Sequence, residues 1–578
     1  MFRLRRFLKG YVFQLTVGPL CKLIEAIFEL MIPLITADII DTGVKNNDVG
    51  YVLSRGGLMV LMGALGLCFA LVCQKSASIA SQGVGTKLRN AMFRHINTLS
   101  FEEIDRIGTP SLITRMTNDI NQLQLAVAML IRLVIRAPFL VIGAMVMAFM
   151  IDVRMALIFV AAAPLIALVL YIVMTRSVPY FRAMQKKLDR VSLISRENLS
   201  GSRVIRAFDK QEYEQKRFGD ANMELASTAV RVGRISALLN PITYTIAQAA
   251  IIAIVWVGSC YVDQGSLQTG QIIALVNYMT QILLAMIVVS NLVVIFTKAA
   301  ASASRVNEVF DMTPSVVDNS SGDITSDKDA PAVVFDNVSF AYGSGGYALR
   351  NISFTVRRGM TVGIIGGTGS GKSTLVNLIP RFYDASEGNV RVYGTDVKDY
   401  PFRQLRSMMG IVPQKASLFS GTIEDNLRWA KKDASDEEIE RALRISQSAE
   451  FVDKLPEKTK KTVTAGGKNL SGGQRQRLTI ARALVGEPEI LILDDSASAL
   501  DFATDAALRK ALREETKGMT VFMVSQRVGT VRYADKILVI DNGELAGEGT
   551  HSELVKSCPV YREICLSQLK AEEVGYDG

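Results

Sequence analysis

Two short stretches hold side chains whose types and spacing could do chemistry. In TVGIIGGTGSGKSTLVNLI, the run Gly366-Gly367-Thr368-Gly369-Ser370-Gly371-Lys372-Ser373, followed by Thr374, matches a phosphate-binding loop. Its glycines would let backbone N–H groups close around phosphate oxygens. Lys372 would neutralise those oxygens, Ser373 would hold Mg²⁺, and the start of the next helix would add its positive dipole end. The context fits, with an apolar strand at 361–365 and a helical run at 374–379. In ILILDDSASALD, residues 490–501, a buried strand runs into two adjacent carboxylates, Asp494 and Asp495. A nucleotide-hydrolysing site keeps a metal-binding Asp there, followed by a catalytic acid that is usually Glu.

These motifs need a rigid α/β scaffold. VVFDNVSFAY and LRNISFTV read as strands, and the Ser-, Asp- and Pro-rich stretch 312–331 reads as a linker before them. Ahead of that linker the composition changes. The net charge of +9 sits entirely in residues 1–317, which carry 31 Lys and Arg against 20 Asp and Glu. The same half holds six apolar segments of spanning length, about 15–40, 56–80, 130–151, 154–175, 241–262 and 271–297. A basic surplus beside such segments indicates cytoplasmic loops rather than a nucleic-acid surface, since aromatic residues do not interleave the basic runs. The dense cations at Lys87–Arg115 and Arg176–Arg196 put the two long connections, and both termini, on the cytoplasmic side.

Both long connections keep helical periodicity, so four spans should continue into the cytoplasm as helical hairpins, with tips near 104–111 and 207–213. The start, MFRLRRFLKGY, reads as a surface-lying helix with Arg3, Arg5, Arg6 and Lys9 at head groups, not as a cleavable signal. Six scattered cysteines make neither a metal-ligand spacing nor a disulfide framework. Within the first span, Glu25 and Glu29 lie one helical turn apart. They either line a cavity that takes up cationic or polar cargo, or pair with Lys22, Arg132 and Arg136; both readings stay open.

LSGGQRQRL at 470–478 completes the set. With the phosphate loop before it and ILILDD after it, in that order and spacing, the chain resembles the ATP-binding-cassette (ABC) family, and its first half resembles the exporter branch. The resemblance implies a type I (type IV) exporter fold. An all-α six-helix transmembrane domain with long cytoplasmic extensions spans 1–311, and an α/β nucleotide-binding domain spans 332–578. It implies ATP and Mg²⁺ as ligands. Tyr342 would stack on adenine, and Gln414 would touch Mg²⁺ along with Ser373 and Asp494. Leu470, Ser471, Gly472, Gly473 and Gln474 would bind ATP held by a second subunit, and Asp501 would lie at the subunit interface. The TAGGKN run before LSGGQ departs from the acidic stretch common in the family.

Two catalytic positions also depart. Asp495 stands where the family has Glu, and Gln526, in VFMVSQRV, stands where it has a histidine. A one-methylene shorter acid sits about 1.5 Å back, and a glutamine cannot carry positive charge. The signature is unaltered. This pattern resembles the degenerate subunit of bacterial heterodimeric multidrug exporters. It implies a slow ATP site here and a non-identical partner with an intact Glu and His. The expected protein is a multi-pass protein of the cytoplasmic membrane, surrounded by lipid, that exports a small drug-like, lipid or peptide cargo and binds no nucleic acid. The rivals are a homodimeric flippase or multidrug exporter and an ATP-gated channel or regulator.

Overall fold

Apolar segments of spanning length, continued by polar segments of helical period, form long helices, and the first half of the chain does so. The computed structural model describes residues 2–569 apart from 319–321, 323, 325, 326, 328, 344 and 497. The linker expected at 312–331 therefore lies partly outside the described residues. Two compact units emerge: Met1–Ile96 with Pro110–Asp311, and Asn97–Thr109 with Met312–Gly578.

The first unit holds α1 (Val12–Asp38) and α2 (Val49–Ile96). After α3 (Phe101–Ile107), which belongs to the second unit, come α4 (Thr109–Thr114), α5 (Ile120–Arg132), α6 (Arg136–Ile151) and α7 (Val153–Ser200). The unit ends with α8 (Ser202–Ala207), α9 (Gln211–Ala237), α10 (Leu239–Asp263) and α11 (Thr269–Phe310). Among the described residues, five stretches are long and apolar enough to cross a membrane: Val49–Ile96, Thr109–Ile151, Val153–Ser200, Gln211–Asp263 and Thr269–Phe310. The span expected first is helical, as α1, but Lys22, Glu25 and Glu29 set it apart from these five.

A 48-residue helix such as α2 is about 72 Å long, more than twice the roughly 30 Å hydrocarbon core. Its surplus length is the extension expected from the periodicity. Small residues let the helices approach closely: Ala26, Ala144, Ala156, Ala163 and Ala274 are buried in one cluster around Phe159 and Tyr278. Large apolar side chains such as Leu67, Ile142 and Trp256 point outward. The second hairpin turns within the expected 207–213, and its crossing segment begins a few residues earlier. Gly201 closes α7, so the short crossing helix is Ser202–Ala207, followed by a turn with Asp209 at φ +50°.

In the second unit, one antiparallel sheet orders β2 (Tyr347–Val356), β1 (Val333–Ala341), β4 (Glu387–Val392) and β5 (Thr395–Asp396). A six-stranded sheet orders β12 (Glu544–Gly549), β11 (Lys536–Asp541), β3 (Thr361–Ile365), β10 (Thr520–Val524), β9 (Ile490–Asp494) and β6 (Met409–Val412). All but β12 run parallel. Parallel strands are covered on both faces and so read as unbroken apolar runs, as ILILD and TVFMV do, with every residue buried. A two-stranded pair, β7 (Gly421–Thr422) with β8 (Thr462–Val463), completes the set.

Helix α3 is held in this unit by specific contacts. The Phe101 ring lies 4.6 Å from that of Phe382. Buried Glu103 accepts hydrogen bonds from Ser100 N at 2.9 Å and Ser315 N at 3.2 Å. Tyr383 donates to Asp105 at 3.3 Å.

Candidate active site

Strand β3 delivers the chain into the phosphate loop, and helix α12 (Lys372–Leu378) starts at its far end. Two glycines are required by space. A Cβ at Gly366 would fall 2.0 Å from Ile540 O, and Gly371, at φ +101°, would drive one to 2.8 Å from Ala348 O. The Lys372 ammonium is buried and folded back on the loop, donating to Gly366 O at 3.0 Å and to Gly367 O. Burial pushes its pKa below the ordinary lysine value, while the charges of Asp495 and Asp494 oppose that shift.

Parallel pairing of β9 and β3 with the strand between them, β10, carries the two acidic residues to the loop. Ser373 Oγ donates to Asp494 Oδ1 at 2.9 Å. Burial raises the Asp494 pKa; the Ser373 bond and Lys372 lower it, and Asp495 adds to the rise. The next residue, Asp495, sits at φ +44°. Its N–H is bound to Val524 O at 3.0 Å, and its Oδ2 accepts from Gln414 Nε2 at 3.4 Å. The Gln526 amide oxygen accepts from Thr368 Oγ1 at 3.4 Å. Thus Thr368, Lys372, Ser373, Gln414, Asp494, Asp495 and Gln526 form one neighbourhood. Ser373, Asp494 and Gln414 are oxygen-bearing groups suited to a hard cation, so the donor set fits Mg²⁺, which would neutralise phosphate charge when bound.

Tyr342 is half exposed at the edge of the loop. It shares a 3.0 Å hydrogen bond with Thr374 and packs edge-on against Phe340 and Tyr383. An aromatic face braced this way can stack on a flat base. The signature occupies a separate place. Ser471 caps the helix Gly472–Val485 by accepting from Gln474 N at 3.2 Å, and Gln474 Oε1 accepts from Ser471 N at 2.9 Å. Leu470 is held through its carbonyl by Arg475. Asp501 caps Phe502–Glu515 through Thr504 N at 2.9 Å. Among the described residues, no hydrogen bond joins the signature to the phosphate loop. Neither histidine lies near Gln526 in sequence, and His551 binds Tyr561 instead.

One residue escaped the sequence reading. Gln568, on the helix Pro559–Gln568, donates to Gln526 O at 2.8 Å and accepts from Val528 N at 2.9 Å. It clamps the segment that carries Gln526, and no motif flags it. In the first unit, Glu25 pairs with Lys22 and Glu29 with Arg136, each at 2.6 Å. Neither glutamate offers an uncompensated negative charge.

The family model described as the ABC transporter transmembrane region matches residues 15–286, and that described as ABC transporter matches 349–498. An uncharacterized ABC transporter ATP-binding protein of Mycobacterium tuberculosis is 36% identical over 577 residues, 99% of each chain. An ATP-dependent lipid A-core flippase of Vibrio vulnificus is 30% identical over 568 residues, 97% of this chain and 96% of that one. Among solved structures, a bacterial Atm1-family ABC exporter with ATP bound superposes with a TM-score of 0.77, covering 98% of this chain and 99% of that one at 24% identity.

Proposed function

We propose a function from one premise: this chain belongs to the ABC transporter family, joining a transmembrane region to an ATPase that couples hydrolysis to transport. On that premise it is one half of an ATP-driven exporter in the cytoplasmic membrane, with six spans, α1 included, and both termini in the cytoplasm. Its domains are 1–311 and 332–578, joined by 312–331. ATP with Mg²⁺ binds the phosphate loop, with Tyr342 at the base. The partner is a non-identical half-transporter carrying Glu and His at the positions of Asp495 and Gln526, and the cargo is a small amphipathic molecule.

One observation carries this reading. Two separate catalytic positions have lost their usual groups, while Ser471 and Gln474 keep an intact cap at the signature. Asp495 is short for a base, and its carboxylate is engaged by Gln414. Gln526 offers Thr368 a neutral amide. This chain's own loop would then hold ATP as a slow clamp, while its signature completes a fast site on the partner. Closure of the two nucleotide domains turns the cavity outward through differential affinity of ATP for the closed state.

ATP turnover in lipid, for the chain alone and after co-expression with a candidate partner, tests the reading. Strong turnover only in the mixed complex supports it; fast turnover by the chain alone overturns it. A second reading, ATP-driven lipid movement by a pair of identical chains, is favoured by the full-length likeness to lipid A-core flippases.

A further inference from the structure

The second unit holds a cavity whose lining takes in none of the described phosphate-loop or signature residues. It measures about 1330 Å³, above the roughly 300–1,000 Å³ usual for small molecules, a size that suits a peptide. Its walls are the helix Phe502–Glu515, the turn 516–519, the segment 527–535 and the end of the helix Pro559–Gln568.

The walls carry an excess of positive charge, with six Lys and Arg against three Asp and Glu. Two of the acids are already paired, Asp505 with Arg509 at 3.2 Å and Glu514 with Lys510 at 4.0 Å. The third, Asp535, accepts from Thr361 N at 2.8 Å. Arg513, Lys517, Arg527 and Arg532 have no carboxylate within 4.0 Å among the described residues. Neutral groups hold two of them in place. Arg513 donates to Tyr533 O at 2.8 Å, and Arg532 lies 4.6 Å from the centre of the Tyr533 ring. These cations are fixed in the wall without being cancelled, so the cavity attracts a segment of opposite charge.

Such a segment follows directly in the chain. Leu569, the last described residue, lines the cavity, and the sequence continues as KAEEVGYDG. Residues 570–578 carry Glu572, Glu573 and Asp577 against Lys570. These nine residues reach up to about 30 Å when extended, enough to lie along the lining. A tethered segment also meets its site at high effective concentration, so weak contacts suffice. We propose that residues 570–578 dock in this cavity against Arg513, Lys517 and Arg532, and that docking braces the segment that carries Gln526. The brace acts through Gln568, which lines the same cavity and grips Gln526 O at 2.8 Å and Val528 N at 2.9 Å. Gln568 is then a positioning residue governed by what occupies the cavity. The proposal needs only ATP hydrolysis by this unit and holds for identical or non-identical partners.

Zero-length carbodiimide cross-linking of the full transporter in nanodiscs of zwitterionic lipid tests the docking, because it joins only a carboxylate and an ammonium in contact. Mass spectrometry of the digest should find Lys517 joined to Glu572, Glu573 or Asp577 within one chain, with a yield that collapses at high salt. Arg513→Gln should cut that yield up to about fivefold, the worth of one exposed charge contact, and Arg513→Lys should keep most of it. Absence of the Lys517 link, or a yield indifferent to Arg513, overturns the proposal. Co-expression of isotope-labelled and unlabelled chains identifies the occupant: a link of mixed mass, or one to a different chain, means that another subunit fills the cavity and also overturns it. Steady-state phosphate release tests the brace. Glu572→Gln, Glu573→Gln and Asp577→Asn together should lower turnover about twofold or more, at an unchanged ATP concentration for half-maximal turnover. They should add nothing in a Gln568→Ala background. Unchanged turnover, or a full effect in that background, overturns the brace while the cross-link upholds the docking. If the chain alone hydrolyses ATP fast, the reading of a non-identical partner falls and both of these readouts remain.

Discussion

Lengthening one side chain should speed the ATP site if, as proposed, its shortened acid limits it. Asp495 Oδ2 lies 3.4 Å from Gln414 Nε2, with its backbone pinned to Val524. The carboxylate therefore cannot advance by moving the main chain. Asp495→Glu adds one C–C bond, about 1.5 Å of reach, and a displacement near 1 Å is worth roughly 10²-fold in rate. Gln526→His restores a group that can carry charge to the γ-phosphate. Asp495→Glu alone should release phosphate up to about 10²-fold faster than the unaltered protein, and the double variant should be at least as fast. The change has a cost: Asp495 sits at φ +44°, where the short Asp side chain is better tolerated than Glu, so Asp495→Glu should lose up to about 1 kcal/mol of stability. Steady-state phosphate release in lipid nanodiscs, alongside thermal unfolding, measures both effects. A double variant no faster than the unaltered protein would refute the idea that these two positions limit the site.

Other perturbations follow from the same geometry. Gln568→Ala removes two hydrogen bonds from the segment carrying Gln526, together worth about 1–3 kcal/mol; turnover should fall while nucleotide affinity, read by equilibrium dialysis, holds. Ser373→Ala removes the hydroxyl proposed to hold Mg²⁺ and its bond to Asp494, so the Mg²⁺ concentration at half-maximal turnover should rise. Asp494 has a folded pKa raised chiefly by burial, so its contribution to stability is greatest below the unfolded carboxyl range and is lost as pH rises through the folded value. Asp494→Asn should therefore raise the unfolding temperature at pH 7, and the gain should shrink as pH falls toward about 4. Phe101→Ala removes the ring packed at a tilt against Phe382, worth about 0.5–1.5 kcal/mol; cargo-stimulated turnover should fall more than basal turnover.

The local parts of this protein are legible in its sequence. A phosphate loop is contiguous, so eight residues between a strand and a helix already define its backbone. The long helices are legible because apolar periodicity runs unbroken past the length of a span. Partnerships across sequence are not. Arg136 meets Glu29 from 107 positions away, and Gln568 reaches Gln526 from 42; each depends on packing that no local pattern encodes. Residues 97–109 continue the helical composition of the first half yet group with the second unit. Their anchors, Phe382, Tyr383 and Ser315, lie more than 200 positions on.

Charge in the membrane half shows why pairing decides the chemistry. Read singly, Glu25 and Glu29 are two anions in an apolar helix and would favour a cation. Read with their partners they cancel Lys22 and Arg136, and the balance passes to Arg132. The same logic governs the nucleotide site. Asp494 and Asp495 are adjacent anions that would repel one another, yet Lys372 and Ser373 stand against them on the neighbouring loop. In both places the sequence names the charges, and contacts between distant residues decide which of them are compensated.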